Sequence, residues 1–269
     1  MKIIISPAKK MEECQDIFEP GGLPEYIAKT ELLYKILNAM TEAELQNVFQ
    51  ANDQITRQNF ERYQVMDIHR AQTPALLSYV GIQYQYMAPK LFSCEQWEYV
   101  KDHLRILSGF YGILRPQDRV TPYRLEMQTK LSADGAKDLY GFWGRSLYDS
   151  LVSDAKENGD EGETIVNLAS KEYSKSVEPY LTKQDRYVTC VFGVLVNGKV
   201  KVKATEAKMA RGEMVRFMAE KDVQKPEGLK QFDRLDYHYS EEHSDSNTYV
   251  FIKMNRPDNT NREKENHDV

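Results

Sequence analysis

Leu104–Met127, LRILSGFYGILRPQDRVTPYRLEM, is the stretch on which the fold turns. Gly109 and Gly112 stand three apart, Pro116 and Pro122 six apart, and the stretch closes on Pro122-Tyr123-Arg124-Leu125-Glu126. Together they restrict the backbone more than a surface loop requires. Ile106, Leu107, Phe110, Tyr111, Ile113 and Leu114 are too dense in apolar character for a solvated segment, and Ser108-Gly109 divides them. The pattern predicts a helical segment, a tight turn and a second buried segment.

Leu-Ser-Gly-Phe-Tyr-Gly is similar to the hairpin of a helix-hairpin-helix element, which meets DNA phosphates through backbone N–H groups at a glycine-rich turn. Its spacing is Gly-x-x-Gly where that motif has Gly-hydrophobic-Gly, and a purely structural turn explains the residues as well.

Working outward, Lys2–Ile5 reads as a buried strand. Ser6-Pro7 reads as an N-cap followed by proline at a helix's first position, which sets Lys9 beside free helix N–H groups where an anion is welcome. Helical patterns cover Leu23–Met40, Thr41–Gln50 and Asp53–Gln64, with Thr41 and Glu44 spaced as a capping box, and more helix over Ala71–Lys101 and Asp138–Ala155. Tyr79, Tyr84 and Tyr86 suit either core packing or base stacking. Thr164–Ala169 reads as a strand and Ser170 as the cap of a helix from Lys171, repeating the junction at Ser6. If the two strands are neighbours, a common crevice opens at their ends, lined by Asn167, Ser170, Glu172 and Tyr173 and edged by Lys171 and Lys175.

Asn197-Gly198 joins Val188–Val196 to Lys199–Ala204 as a hairpin. The second strand has one apolar and one lysine face, suited to phosphates or to a protected edge. In Thr205–Ala219, Ala207, Ala210, Met214 and Phe217 fall on one buried helix face. Lys208, Arg211 and Gly212 fall on another, where two cations flank a bare patch suited to phosphate or to close packing. Tyr249–Lys253 is a last strand, and 256–269 is expected to be disordered.

Composition bounds the rest. Apolar content of 41% and charged content of 29% belong to a globular chain, and a net charge of −5 excludes indiscriminate nucleic-acid binding. Charge is uneven, however: Lys171–Arg216 carries ten cations against five acids. No apolar run is long enough for a membrane span, and Met1–Pro7 is too short for a signal peptide, so a soluble cytoplasmic chain is expected. Cys14, Cys94 and Cys190 form no paired motif, and no histidine has a glutamate three residues before it. His238 and His243 near Asp236, Glu241 and Glu242 read as a solvated acidic loop, so no metal and no cofactor are expected.

Leu104–Met127, with SPAK at Ser6–Lys9, KDLYGFWG at Lys137–Gly144, NLASKEYSKSV at Asn167–Val177 and AKMARGEMVRF at Ala207–Phe217, closely resembles the bacterial peroxide-stress-resistance protein YaaA family from Met1 to about Lys253. The resemblance implies a cytoplasmic DNA-binding protein with a helix-hairpin-helix element, linked to protection from peroxide and to limiting intracellular iron. The expected fold is a single α+β domain over 1–255, a mixed sheet wrapped by helices, with the helix-hairpin-helix-like element near 97–120.

Two functions are carried forward. In the first, DNA is the partner: Lys9, Arg115, Tyr123, Arg124, Ser170, Lys171, Lys175, Lys208, Arg211 and Arg216 contact phosphate, and the Gly109–Gly112 turn and Gly212 admit it closely, without reading base sequence. In the second, an enzyme acts on a nucleobase or a small phosphate-bearing nucleotide, with Glu126, Glu172 and Asn167 as candidates for acid–base work. A concave pocket enclosing Lys9, Asn167, Glu172 and Arg211 would favour the second, and an open basic cleft the first.

Overall fold

The computed structural model of the chain describes residues 1–14, 17–157 and 162–254. Lys2–Ile5 (β1) is a run of four buried residues, and Lys10–Met11 (β2) follows without an intervening helix. The Ser-Pro junction is therefore a turn from strand to strand, and Ser6 caps no helix. Ile27–Asn38 (α1), Glu42–Phe49 (α2) and Asp53–Val65 (α3) match the predicted helices. The capping box at Thr41 and Glu44 is present, and Asn52 caps α3 through the amide of Ile55.

The expected helix over 71–101 is broken into Thr73–Pro74 (β3), Ala75–Ser78 (α4), Tyr79–Val80 (β4), Ile82–Met87 (α5) and Cys94–His103 (α6). Pro74, Gly81 and Pro89 stand at the breaks, since proline lacks the helical donor and glycine lowers helix propensity.

Leu104–Ser108 (β5) and Gly112–Leu114 (β6) form an antiparallel pair in the register Ile106↔Leu114 and Ser108↔Gly112. Arg119–Val120 (β7) pairs with β3. The element near 97–120 is thus a helix followed by a β-hairpin, a correction to the expected helix-hairpin-helix. Every residue of β5 and β6 is buried, and apolar runs of three to five residues buried on both faces pair as strands where a half-exposed helix would leave them in water.

Leu139–Trp143 (α7) and Ser146–Glu157 (α8) are separated at Gly144, whose φ is +51°. Thr164–Asn167 (β8), the one-turn helix Lys171–Ser174 (α9), Arg186–Val196 (β9) and Lys199–Lys201 (β10) come next. Asn197 and Gly198 take φ of 52° and 71° at the predicted hairpin. Ala204–Glu220 (α10), Tyr237–Tyr239 (β11) and Thr248–Lys253 (β12) complete the fold. Residues 158–161 and the tail 256–269 lie outside the described residues.

The main sheet has the order β11-β12-β9-β8-β1-β5-β6, with β10 paired to β9. β12, β9, β8, β1 and β5 run parallel, and β11 and β6 flank them antiparallel. The fold is mixed α and β with a mostly parallel central sheet. From β1 the chain moves to β5 on one side and later returns to β8 on the other, so the strand order reverses at β1. Crevices at the carboxyl ends of strands on either side of such a reversal are where open α/β sheets bind ligands.

Two bare contacts fix the walls of that region. At Gly212 a Cβ would lie 2.1 Å from the carbonyl oxygen of Gln83 and 2.9 Å from the amide of Met87, so α10 and α5 meet backbone to backbone. At Gly109 a Cβ would lie 2.5 Å from the carbonyl oxygen of Leu125, so the segment 123–127 rests directly on the β5–β6 turn.

Gly212→Ala gains about 1 kcal/mol of helix propensity but overpacks a backbone contact. A net loss of ~2 kcal/mol is expected, read as a lowered midpoint in urea unfolding. Asp118 is 6% exposed and its Oδ2 accepts from the amide of Arg115 at 2.8 Å. Burial outweighs that bond and lifts its carboxyl from 3.8 to about 7. The native state then holds a proton that the unfolded chain releases, so this residue's contribution to stability falls as pH rises from about 4 to about 7. Asp118→Asn should flatten that fall in a series of thermal melts.

Candidate functional site

At the carboxyl ends of β1 and β8, which pair in parallel with Ile4 opposite Asn167, the two junctions meet as predicted from their strands being neighbours. The Oγ of Ser6 accepts from the amide of Ser170 at 2.8 Å, and the two hydroxyls are 3.2 Å apart. The side chain of Ser170 caps no amide of α9, although its carbonyl accepts from Tyr173 and Ser174. Ser6 thus ties one strand end to the other. A cavity of about 400 Å³ opens beside this tie.

Five segments supply its walls. Ser6–Lys10 leads from β1 into β2, and Val80–Tyr84 from β4 into α5. Tyr123–Glu126 lies over the hairpin, while Ser170, Glu172 and Tyr173 come from α9 and Lys208 and Arg211 from α10. The hydroxyl of Tyr84 donates to the carbonyl of Ser6 at 3.0 Å. Tyr123 is 4% exposed, and its hydroxyl lies 2.6 Å from Ser108 Oγ and 2.9 Å from the hydroxyl of Tyr79. Burial holds the phenols of Tyr84 and Tyr173 neutral far above the usual tyrosine range.

The charges are arranged unequally. Glu126 accepts an ion pair on each oxygen, from Lys9 Nζ at 2.9 Å and from Arg124 Nη2 at 3.1 Å. Glu172 meets the amide of Gln128 at 3.3 Å, and both burial and the charge of Glu126 raise its pKa, burial being the larger cause. Arg211 has no carboxylate partner among the described residues. Its Nε, the Nε of Arg124 and the Nε2 of Gln83 are buried without a hydrogen-bond partner. Burial also lowers the pKa of Arg211, but a guanidinium stays charged at any physiological pH.

The structure therefore brings together Lys9, Tyr123, Arg124, Glu126, Ser170, Glu172, Lys208 and Arg211. It sets the other candidates elsewhere. Asn167 is buried behind the tie, with its Oδ1 accepting from the amide of Ala169 and its Nδ2 donating to Thr189. Lys171 pairs with Glu178, and Lys175, just past α9, is exposed and not among the residues lining the cavity. Arg216 pairs with Glu220 at 2.8 Å, near the far end of α10. Arg115 follows β6 and so stands at the opposite edge of the sheet.

Gly109 and Gly112 are buried in the hairpin turn. The amides of Phe110 and Tyr111 already donate to Ser108 Oγ, and the Gly109 carbonyl accepts from Trp143 Nε1. Gly212 faces α5 rather than open solvent. In this hairpin and helix, glycine serves chain-to-chain approach. Among the described residues no group of three or more His, Cys, Asp or Glu is placed to hold a metal ion. No described helix is long and apolar enough to cross a membrane.

Sequence reasoning missed Gln83 as a wall residue and Ser6 as a strand tie. Tyr84 carried a readable signal, being aromatic within a dense tyrosine run, but only the fold turns it toward the cavity. Gly109→Ala should lift the 123–127 segment off the hairpin and lower stability by about 2 kcal/mol. It should also break the Lys9–Glu126 and Arg124–Glu126 geometry, checked as altered side-chain signals of these residues in NMR spectra.

Comparison with known proteins covers the same ground. The family described as "Peroxide stress protein YaaA" matches residues 1–243. A UPF0246 protein of Desulfitobacterium hafniense (strain Y51) is 50% identical over 253 residues, spanning 94% of this chain and 98% of its own. A UPF0246 protein of Agathobacter rectalis is 50% identical over 251 residues, 93% of this chain and 98% of its own. One from Lactiplantibacillus plantarum is 45% identical over 252 residues, 94% and 99% respectively.

Proposed function

The chain belongs to the peroxide stress protein YaaA family, and on that premise we propose that it serves the oxidative-stress response in the cytoplasm by capturing a nucleotide in the cavity at the ends of β1 and β8. The observation that carries this reading is the set of buried donors on the cavity's walls, Arg211 Nε, Arg124 Nε and Gln83 Nε2, which no protein acceptor satisfies. Each such donor costs about 1–3 kcal/mol when left unmade. A wall that keeps them, with Lys208 and Lys9 at its mouth, suits a ligand rich in oxygen acceptors and negative charge, which phosphate supplies. A volume of about 400 Å³ falls within the range of small-molecule sites, and the rings of Tyr84 and Tyr173 provide flat apolar surface for a base.

The nucleotide has two sources, free in solution or presented by a DNA strand. The exposure of Lys9, 65% with Glu126 as its only ion-pair partner among the described residues, and of Lys208 on the facing wall favours a strand running past the cavity mouth. DNA binding of this kind holds the backbone and admits one nucleotide, which makes it dependent on structure rather than on base sequence. The limit on intracellular iron that the family resemblance implies belongs to the same proposed role, and no residue is assigned to it.

Fluorescence anisotropy with single-stranded, duplex and mismatched-bubble DNA, in competition with free nucleoside monophosphate, tests the reading. Arg211→Ala and Lys208→Ala should each weaken binding roughly tenfold, the loss of one charged hydrogen-bond partner. Arg115→Ala, at the other edge of the sheet, should leave binding unchanged. Preference for bubble over duplex marks a strand as the source, and full displacement by the monophosphate marks the free nucleotide. Binding that ignores Arg211 and Lys208 but falls with Arg115→Ala would move the site to the opposite edge.

A further inference from the structure

Glu126 and Glu172 share the cavity wall, yet their surroundings differ. Both oxygens of Glu126 are taken by cations, Lys9 at 2.9 Å and Arg124 at 3.1 Å, and the residue is 16% exposed in its side chain. Glu172 has no ion pair among the described residues. Its carboxylate meets the backbone amides of Met127 and Gln128. Lys171 beside it in sequence turns away to Glu178. Tyr140, from α7, donates to the backbone carbonyl of Glu172 at 2.9 Å and so steadies α9 without touching the carboxylate. From α10, Lys208 and Arg211 contribute positive charge to the same cavity, and Tyr173 is a buried neutral phenol.

Two carboxylates in one concave, partly desolvated site do not both keep their charge at equal cost. The one paired with two cations is held as an anion by its partners, and the one that has no cation and is disfavoured as an anion by burial and by Glu126 is the one placed to take a proton. We propose that Glu172 meets the ligand as a neutral acid, donating a hydrogen bond to an oxygen of the bound nucleotide, while Glu126 remains the fixed anion that holds Lys9 and Arg124 in place. This rests on the nucleotide reading of the cavity and adds a proton to it. Binding brings a further negative charge beside Glu172, which favours its neutral form, so ligand and proton bind together. The proton comes from solvent and returns there on release.

The direction of the linkage follows from burial and from Glu126, both of which raise the pKa of Glu172. The neutral form, fully populated below that pKa, is lost as pH rises through it, and affinity is lost with it. The amide of Gln128, and less strongly the charge of Lys9 and the amide of Met127, oppose the shift because each favours the anion, but burial outweighs them and the ammonium of Lys9 is engaged by Glu126.

A thymidine dinucleotide joined by one phosphodiester is a suitable probe, because neither its phosphate nor its bases titrate between about pH 5 and 8. Titration calorimetry of the full chain across that range, in two buffers of different ionisation heat, should show proton uptake on binding. Affinity should weaken up to about tenfold per pH unit above the pKa of Glu172. Glu172→Gln keeps a donor and cannot ionise. It should bind at every pH about as tightly as the parent does at the acid end, with no proton uptake. Binding by the parent that is independent of pH, or a Glu172→Gln protein weakened tenfold or more throughout, would overturn the proposal, the second outcome showing that the ligand needs the carboxylate. Failure of the dinucleotide to bind either protein at any pH would instead remove the nucleotide reading, and this inference with it.

Discussion

The parallel pairing of β1 with β8, closed at its carboxyl end by the Ser6 hydroxyl accepting the Ser170 amide, is the constraint on which the site depends. Neighbouring parallel strands deliver their following loops to the same edge of the sheet. Where the chain leaves in opposite directions on either side of β1, those loops part and leave a crevice. Ser6–Lys9 and Ser170–Tyr173 are held at its two lips by the Ser6 hydroxyl, which meets both the amide and the hydroxyl of Ser170. Every polar group of the cavity is placed relative to that tie.

The other walls come from close approach. Gly212 lets α10 settle onto α5, which carries Lys208 and Arg211 to the same opening as Gln83 and Tyr84. Gly109 lets the segment 123–127 lie on the β5–β6 turn, which carries Arg124 and Glu126 there. Both glycines act through the backbone they admit, and a methyl group at either would separate walls that must converge. The stretch from Leu104 to Met127 is accordingly a platform and the strap laid across it, with Ser108, Tyr123 and Tyr79 hydrogen-bonded between them.

The electrostatics of the cavity follow from which charges are paired. Glu126 consumes Lys9 and one end of Arg124, so among the described residues the wall charges left without an ion-pair partner are Lys208 and Arg211, and the carboxylate without a cation is Glu172. Elsewhere, Lys171 and Arg216 of the basic region between residues 171 and 216 are engaged by Glu178 and Glu220. An acidic chain thereby keeps a small, localised positive site at the cavity.

Local patterns in the sequence determined much of this. The apolar run Ile3–Ile5, the Thr41–Glu44 capping box, the Asn197-Gly198 turn and the buried face of α10 were all readable, because each depends on residues within a few positions of one another. The presence of Lys9, Arg124, Glu126, Glu172, Lys208 and Arg211 among polar motif positions was readable too. The hairpin at residues 104–114 was not, since short apolar runs suit helix and strand alike until a partner strand is supplied, and β1 lies a hundred residues away. Nor was the use of Gly109, Gly112 and Gly212, because a missing side chain shows only that something comes close, whether ligand or backbone. Only the tertiary structure decided that it is backbone at Gly109 and Gly212 and the Trp143 ring at Gly112, and that Arg115, Arg216 and Asn167 stand apart from the cavity. Which ends of which strands meet is a property of long-range pairing, and no local spacing encodes it.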